Sequence, residues 1–182
     1  MKIFYLLALF VLLPSCATTI EKYNFSKVPE EKVLSIGKLN VNFTDNSVRG
    51  WKGRCSPIFK NKDNADVKIM DSATNYFLLE SNSEPVSLFA ISCTQWDSDR
   101  IRKVELDFHP KEGGINYFGD ITINWKPERF KPEDLLSGIK LLITTEDKGE
   151  FEVKVSNNSK EAKAYIDGIT GQDNKVIPNL LK

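Results

Sequence analysis

The side chains in this sequence that could do chemistry are few and poorly grouped. His109 is the single histidine of the 182 residues, and period-two parity puts it outward at a strand end, beside Pro110. It has no GxSxG elbow or Cys/His signature alongside, so a nucleophile would lack a positioned base. An exposed turn histidine is the favoured reading. Glu105 and Asp107 share one side of a strand and read as a solvated face rather than as a glycosidase pair, whose separation is spatial. Asp97 and Asp99 stand in the run Trp96, Asp97, Ser98, Asp99, Arg100 and offer oxygens to calcium. The glycine and distal bidentate glutamate of an EF-type loop are missing, so the run reads as a turn whose Asp and Ser side chains bond to backbone. The residues assign no catalytic group, no metal ligand and no cofactor.

Aromatic residues in loops give the second kind of candidate. Arg49, Gly50, Trp51, Lys52, Gly53 and Arg54 interleave one indole with three cations, a combination that can stack on a sugar or dock an acidic partner. Trp51 and Trp96 are the candidate ligand-binding residues, and Phe118 is a third aromatic considered for a glycan surface. The plainer reading folds Trp51 back on a sheet edge near Cys55, since isolated exposed aromatics need no function.

The first sixteen residues, MKIFYLLALFVLLPSC, decide the compartment. Lys2 precedes eleven unbroken apolar residues, Ile3 to Leu13. That run is too short for a bilayer core, which needs about 20, and it reads as the h-region of a signal peptide. Leu13, Pro14, Ser15 and Cys16 resemble the lipobox of bacterial lipoproteins, with Pro14 where that family more often has a small or β-branched residue. The resemblance implies cleavage after Ser15 and acylation of Cys16, and several acyl chains together hold a protein on a membrane. Ala17, in place of Asp, resembles the outer-membrane sorting pattern, which implies a lipid anchor on the periplasmic or surface face of the outer membrane.

Assigning Cys16 to the lipid leaves Cys55 and Cys93 as an even pair in an oxidising compartment, and a disulfide between them is expected. Two free thiols, or a Cys/His site with His109, are the alternatives. Both are weaker, because closely spaced ligands of the CxxC kind are absent.

Loss of residues 1–15 from 182 leaves 167, enough for one domain. The formal charge falls from zero to −1, because Lys2 goes with the leader. No global field then attracts nucleic acid or anionic lipid, and nucleic acid is excluded as a partner. Residues 16–32 are polar, hold Pro29 and show no sustained period. They read as the lipidated cysteine and a flexible tether, with a single domain over 33–182.

Within that domain, period two dominates. Leu39, Val41 and Phe43 alternate with polar neighbours, as do Val104, Leu106 and Phe108. Residues 66–70 and 76–80 read as short strands around a turn at 71–75, and 86–93 as a central strand. Residues 45–62 read as a long connection with one short strand near Trp51. The longest strand expected is 115–125, with Tyr117, Gly119, Ile121, Ile123 and Trp125 on one face and a bulge or close approach at Gly119. Residues 132–137 suggest a helical turn, and 139–145 and 150–155 two strands joined by a turn. Asn158 and Glu161 have capping-box spacing for a short helix stopped by Gly168. Residues 170–182 take no assignment.

These elements predict an antiparallel β-sandwich with one short C-terminal helix, centred on two hairpins over 86–125. The stretch GINYFGDITI resembles a hairpin of outer-membrane lipoproteins with transthyretin-like sandwich domains. The functional expectation is a non-enzymatic, lipid-anchored envelope protein, structural or binding an envelope protein partner. A carbohydrate or peptidoglycan binder is the alternative, and a hydrolase ranks last.

Overall fold

The alternating stretches do pair into two sheets. The computed structural model describes residues 19–44, 54–95, 98–127 and 145–182. In chain order the strands are β1 (Val33–Phe43), β2 (Arg54–Asn61), β3 (Lys68–Asp71), β4 (Tyr76–Ser81), β5 (Val86–Gln95), β6 (Ser98–Phe108), β7 (Ile115–Lys126), β8 (Thr145–Glu146) and β9 (Glu150–Ser156). Helix α1 (Ser159–Thr170) and strand β10 (Val176–Pro178) complete the order.

One sheet runs β3-β4-β1-β7, and the far edge of β7 is shared by β10 along Ile115–Tyr117 and β9 along Asp120–Lys126. The other runs β2-β5-β6-β8. The expected sandwich is present, with mixed pairing: β1 lies parallel to β7, as does β10, and β8 lies parallel to β6.

The core between the sheets holds Leu39, Phe77, Leu79, Phe118, Ile121, Ile123 and Trp125 from the first sheet, against Phe59, Leu88, Ile91, Cys93 and Phe108 from the second. A second core lies on the other face of the first sheet, where Leu34, Ile36, Met70, Leu78 and Tyr117 meet Ala162 and Ile166 of α1 and Ile20 of the N-terminal segment. The first sheet is thus buried on both faces over part of its length, which is why Val33 to Gly37 are all buried.

A one-residue bulge corrects the parity read for 115–125. Ile36 faces Tyr117 across the ladder, but Gly37 faces Gly119, so Phe118 is the extra residue. Tyr117 therefore joins the helix-side core, whereas Ile121, Ile123 and Trp125 join the inter-sheet core. Gly119 has φ +116°, in the left-handed region. A Cβ on Gly37 would sit 2.0 Å from Cε2 of Phe118, so this glycine makes room for the bulged ring.

Further sequence expectations change in detail. Residues 45–62 contain β2, an eight-residue strand; it ends its sheet, paired with β5 along its length and bridged to Asp66 at Lys60, and a strand at a sheet edge tolerates Pro57. β5 and β6 form the expected hairpin, but β6 and β7 lie in opposite sheets, so the turn after His109 crosses the sandwich. Likewise β8 pairs with β6 and β9 with β7, so residues 146–149 are a crossing and not a hairpin turn. Helix α1 runs through Gly168 and ends at Gly171, whose φ of +67° is the left-handed C-cap. The helical turn expected at 132–137 lies outside the described residues, as do residues 139–144.

Part of the segment read as a tether lies among the described residues. From Thr19 the chain packs on the first sheet: Thr19 bridges Asp71, Ile20 is fully buried, and short 3-10 turns cover Ile20–Lys22 and Phe25–Lys27. Ile20, Tyr23 and Phe25 provide apolar area without a period, because short turns have none to show.

Candidate functional site

Two buried polar clusters, centred on Asp147 and on Asp120, join elements distant in sequence. Asp147 sits in the crossing between β8 and β9, with its side chain 1 % exposed. Its Oδ2 accepts from Arg100 of β6 at 2.6 Å, and its Oδ1 accepts from the Trp125 indole of β7 at 3.1 Å and from the Gly149 N–H at 2.8 Å. The Asp147 N–H donates to the Ile101 carbonyl at 2.9 Å, and Arg102 donates to the Asp147 carbonyl at 2.6 Å. One aspartate therefore spans both sheets. Aromatic rings close the cluster: Phe43 and Phe151 lie 5.8 and 5.5 Å from the Trp125 ring, and Arg102 lies over Phe151 at 5.5 Å.

The second cluster roots α1 in the first sheet. Tyr117 donates its hydroxyl proton to Asp120 Oδ1 at 2.6 Å, while Asn158 donates its Nδ2 proton to Asp120 Oδ2 at 2.8 Å and its backbone N–H to the Tyr117 oxygen at 3.0 Å. Burial, then the hydrogen bond to Asp120, pushes the Tyr117 phenol well above its ordinary range, so it stays a proton donor rather than a nucleophile. This use of Asn158 corrects the expected capping box. Its side chain makes no cap bond to the helix, and Glu161 pairs instead with Lys38 at 2.9 Å, which holds its carboxyl below the usual range. Tyr76 stacks on Tyr165 at 4.4 Å on the same flank.

Of the residues singled out in the sequence, Cys55 and Cys93 form the disulfide, directly opposite one another on β2 and β5. Phe118 is fully buried and cannot present a ring to a glycan. His109 is exposed after β6, as expected, and Lys103, Glu105 and Asp107 form the solvated side of that strand. Cys16, Trp51, Trp96 and Asp97 lie outside the described residues. Among the described residues, no group of three His, Cys, Asp or Glu is placed to hold a metal ion, and no helix is long and apolar enough to cross a membrane.

Surface clefts are also present among the described residues. One, of about 280 Å³, lies between the β3–β4 edge and the end of β2, lined by Lys32, Asp66, Lys68, Glu80, Asn82 and Glu84. Its carboxylates pair with lysines: Asp66 with Lys60 at 2.6 Å, Glu80 with Lys68 at 3.4 Å, and Glu84 with Lys62, while Lys32 donates to the Asn82 side-chain oxygen at 2.8 Å. Another, of about 200 Å³, has an apolar floor of Leu39, Val41, Phe43, Phe77 and Cys55 under a rim of Asp71, Ser72 and Asn75.

No family model, curated protein or solved structure matches this chain. Its functional assignment therefore rests on its own residues.

Sequence reasoning missed Asp147, Asp120 and the N-terminal docking. Asp147 gives no local signal, since its partners Arg100 and Trp125 are 47 and 22 residues away. Asp120 could have been noticed as an acidic residue inside the longest apolar strand, a position that demands hydrogen-bond partners.

Proposed function

We propose that this protein is a lipid-anchored component of the bacterial outer membrane, held by acylated Cys16, that acts without catalysis as a structural or protein-binding module. The observation that carries the reading is the leader ending in Leu13, Pro14, Ser15 and Cys16. Two features of the domain support it. The buried carboxylates Asp120 and Asp147 are committed to bonds that join elements, and the larger cleft is lined by ion pairs that a ligand would have to break. Palmitate labelling abolished by Cys16→Ser, followed by reversible cross-linking in intact cells, tests the reading. One stoichiometric envelope protein in the cross-linked fraction supports it; label that survives Cys16→Ser defeats it.

A second reading, glycan binding, is favoured by the outer face of the first sheet. There Asn42 Nδ2 donates to Asn124 Oδ1 at 3.2 Å, and Asn124 Nδ2 donates to Glu152 Oε2 at 3.0 Å, a row of polar groups across β1, β7 and β9. Amides and carboxylates on a flat sheet face suit sugar hydroxyls. Titration with soluble peptidoglycan fragments, read by tryptophan fluorescence, decides it: saturable change weakened by Asn124→Ala supports the reading, and no change with any fragment removes it.

A further inference from the structure

The N-terminal docking has a consequence if Cys16 carries the anchor, and the inference rests on that reading. Three peptide units separate Cys16 from Thr19, a span of at most ~11 Å. Thr19 is fixed: it bridges Asp71, the last residue of β3. The next residues of the chain are held too. Ile20 is fully buried, the Lys22 N–H donates to the Thr19 carbonyl at 3.0 Å, Glu21 accepts from Tyr165 at 2.9 Å, and Tyr23 donates to Glu80 at 3.0 Å. The domain therefore has no slack from Thr19 onward.

We infer that the β3 edge of the first sheet is a membrane-contact surface, held against the lipid headgroup layer by the short reach from Cys16. β3 is the outer strand of its sheet. It is four residues long and carries an exposed Lys68, two features that guard a sheet edge against pairing with another chain. The occupant is the bilayer in which the acyl chains sit, because a reach of ~11 Å leaves the headgroups as the nearest neighbour of this edge. The opposite edge, at β9, is four strand spacings away, about 19 Å, and faces away from the membrane.

The test uses the full-length acylated protein in phosphatidylethanolamine/phosphatidylglycerol vesicles that contain a headgroup-nitroxide lipid. A fluorescent noncanonical amino acid replaces exposed Lys68 on β3 or exposed Lys154 on β9. Quenching severalfold stronger at Lys68 than at Lys154 is expected. Insertion of a Gly/Ser spacer of about 12 residues between Thr18 and Thr19, with an r.m.s. span of about 19 Å, should erase the difference. Mass spectrometry of the N-terminal peptide separates the two ways to fail. Equal quenching at both sites in protein with acylated Cys16 overturns the membrane-contact surface and leaves the anchor standing, whereas an unmodified Cys16 overturns both.

Discussion

The Tyr165 hydroxyl donates to Glu21 Oε1 at 2.9 Å, joining the C-terminal helix to a residue that precedes the first strand. The bond lies at the surface, and its value is in showing where the chain goes: Ile20 beside it is buried in the same core as Ala162 and Ile166 of α1. The N-terminal segment and the helix together form the layer that covers the first sheet. Burying Ile20 removes an apolar side chain from water, worth about 1.5–3 kcal/mol, and this is what a segment read as a tether contributes to the fold.

The Cys55–Cys93 bond closes a loop with a sequence separation of 38. In the chain-entropy description this constrains the unfolded chain by about 4 kcal/mol. The Cys55→Ala/Cys93→Ala protein should unfold at a markedly lower urea midpoint than the oxidised protein. An unchanged midpoint would mean that the bridge adds nothing.

Asp147→Ala should cost about 3–5 kcal/mol, because it leaves the Arg100 guanidinium, 12 % exposed, without its buried counter-charge. It also removes the acceptor for the Trp125 indole. Replacing both partners, as Arg100→Met with Asp147→Leu, should cost less than the sum of the single changes. Urea denaturation of the four proteins in a double-mutant cycle reads the coupling, and strict additivity would contradict the inter-sheet role.

The last two residues should matter more than their position suggests. Leu181 is buried between the sheets, its N–H donates to the Phe118 carbonyl, and Lys182 exchanges both backbone bonds with Asp107 of β6 at 3.0 Å. Deleting Leu181 and Lys182 should destabilise the protein by about 3–5 kcal/mol. A truncated protein with the full urea midpoint would show that this closure is dispensable.

Asp167 should titrate near pH 2. The Lys163 ammonium beside it, then the Asn174 N–H, hold its carboxyl at about 2 instead of 3.8. Because the folded value lies below the unfolded one, the stabilisation is complete above the unfolded pKa and is lost as pH falls from about 4 toward 2. NMR titration of the Asp167 carboxyl should show the low midpoint, with Lys163→Met moving it upward. An unmoved midpoint in that variant would reject the lysine as the cause.

Elements with a local pattern were legible in the sequence: β6 and the inward set Leu39, Val41 and Phe43 from their alternation, β4 as a short run between turns, and the short helix that begins after Asn158. The sandwich class came from them. The errors arose where a side chain or a single residue changes the geometry without changing the pattern. Phe118 inserts into β7 and moves Tyr117 to the other face, although Gly119 did mark the irregularity. Asn158 has cap spacing, but Asp120, 38 residues away, takes its amide. Residues 146–149 carry turn chemistry that suits a hairpin, and only the tertiary bonds of Asp147 show that they cross between sheets. The candidate site was less legible than the fold, because both polar clusters are assembled from residues distant in sequence.

The docking of the N-terminal segment is the central structural claim, and Ile20→Ala tests it most directly, with urea denaturation as the readout. As a fully buried residue, Ile20 should cost about 2–5 kcal/mol when truncated, while the neighbouring exposed Lys22→Ala should stay within about 0.5 kcal/mol of the parent. If Ile20→Ala were as silent as Lys22→Ala, the segment would be a tether after all, and the membrane-contact surface at β3 would fall with it.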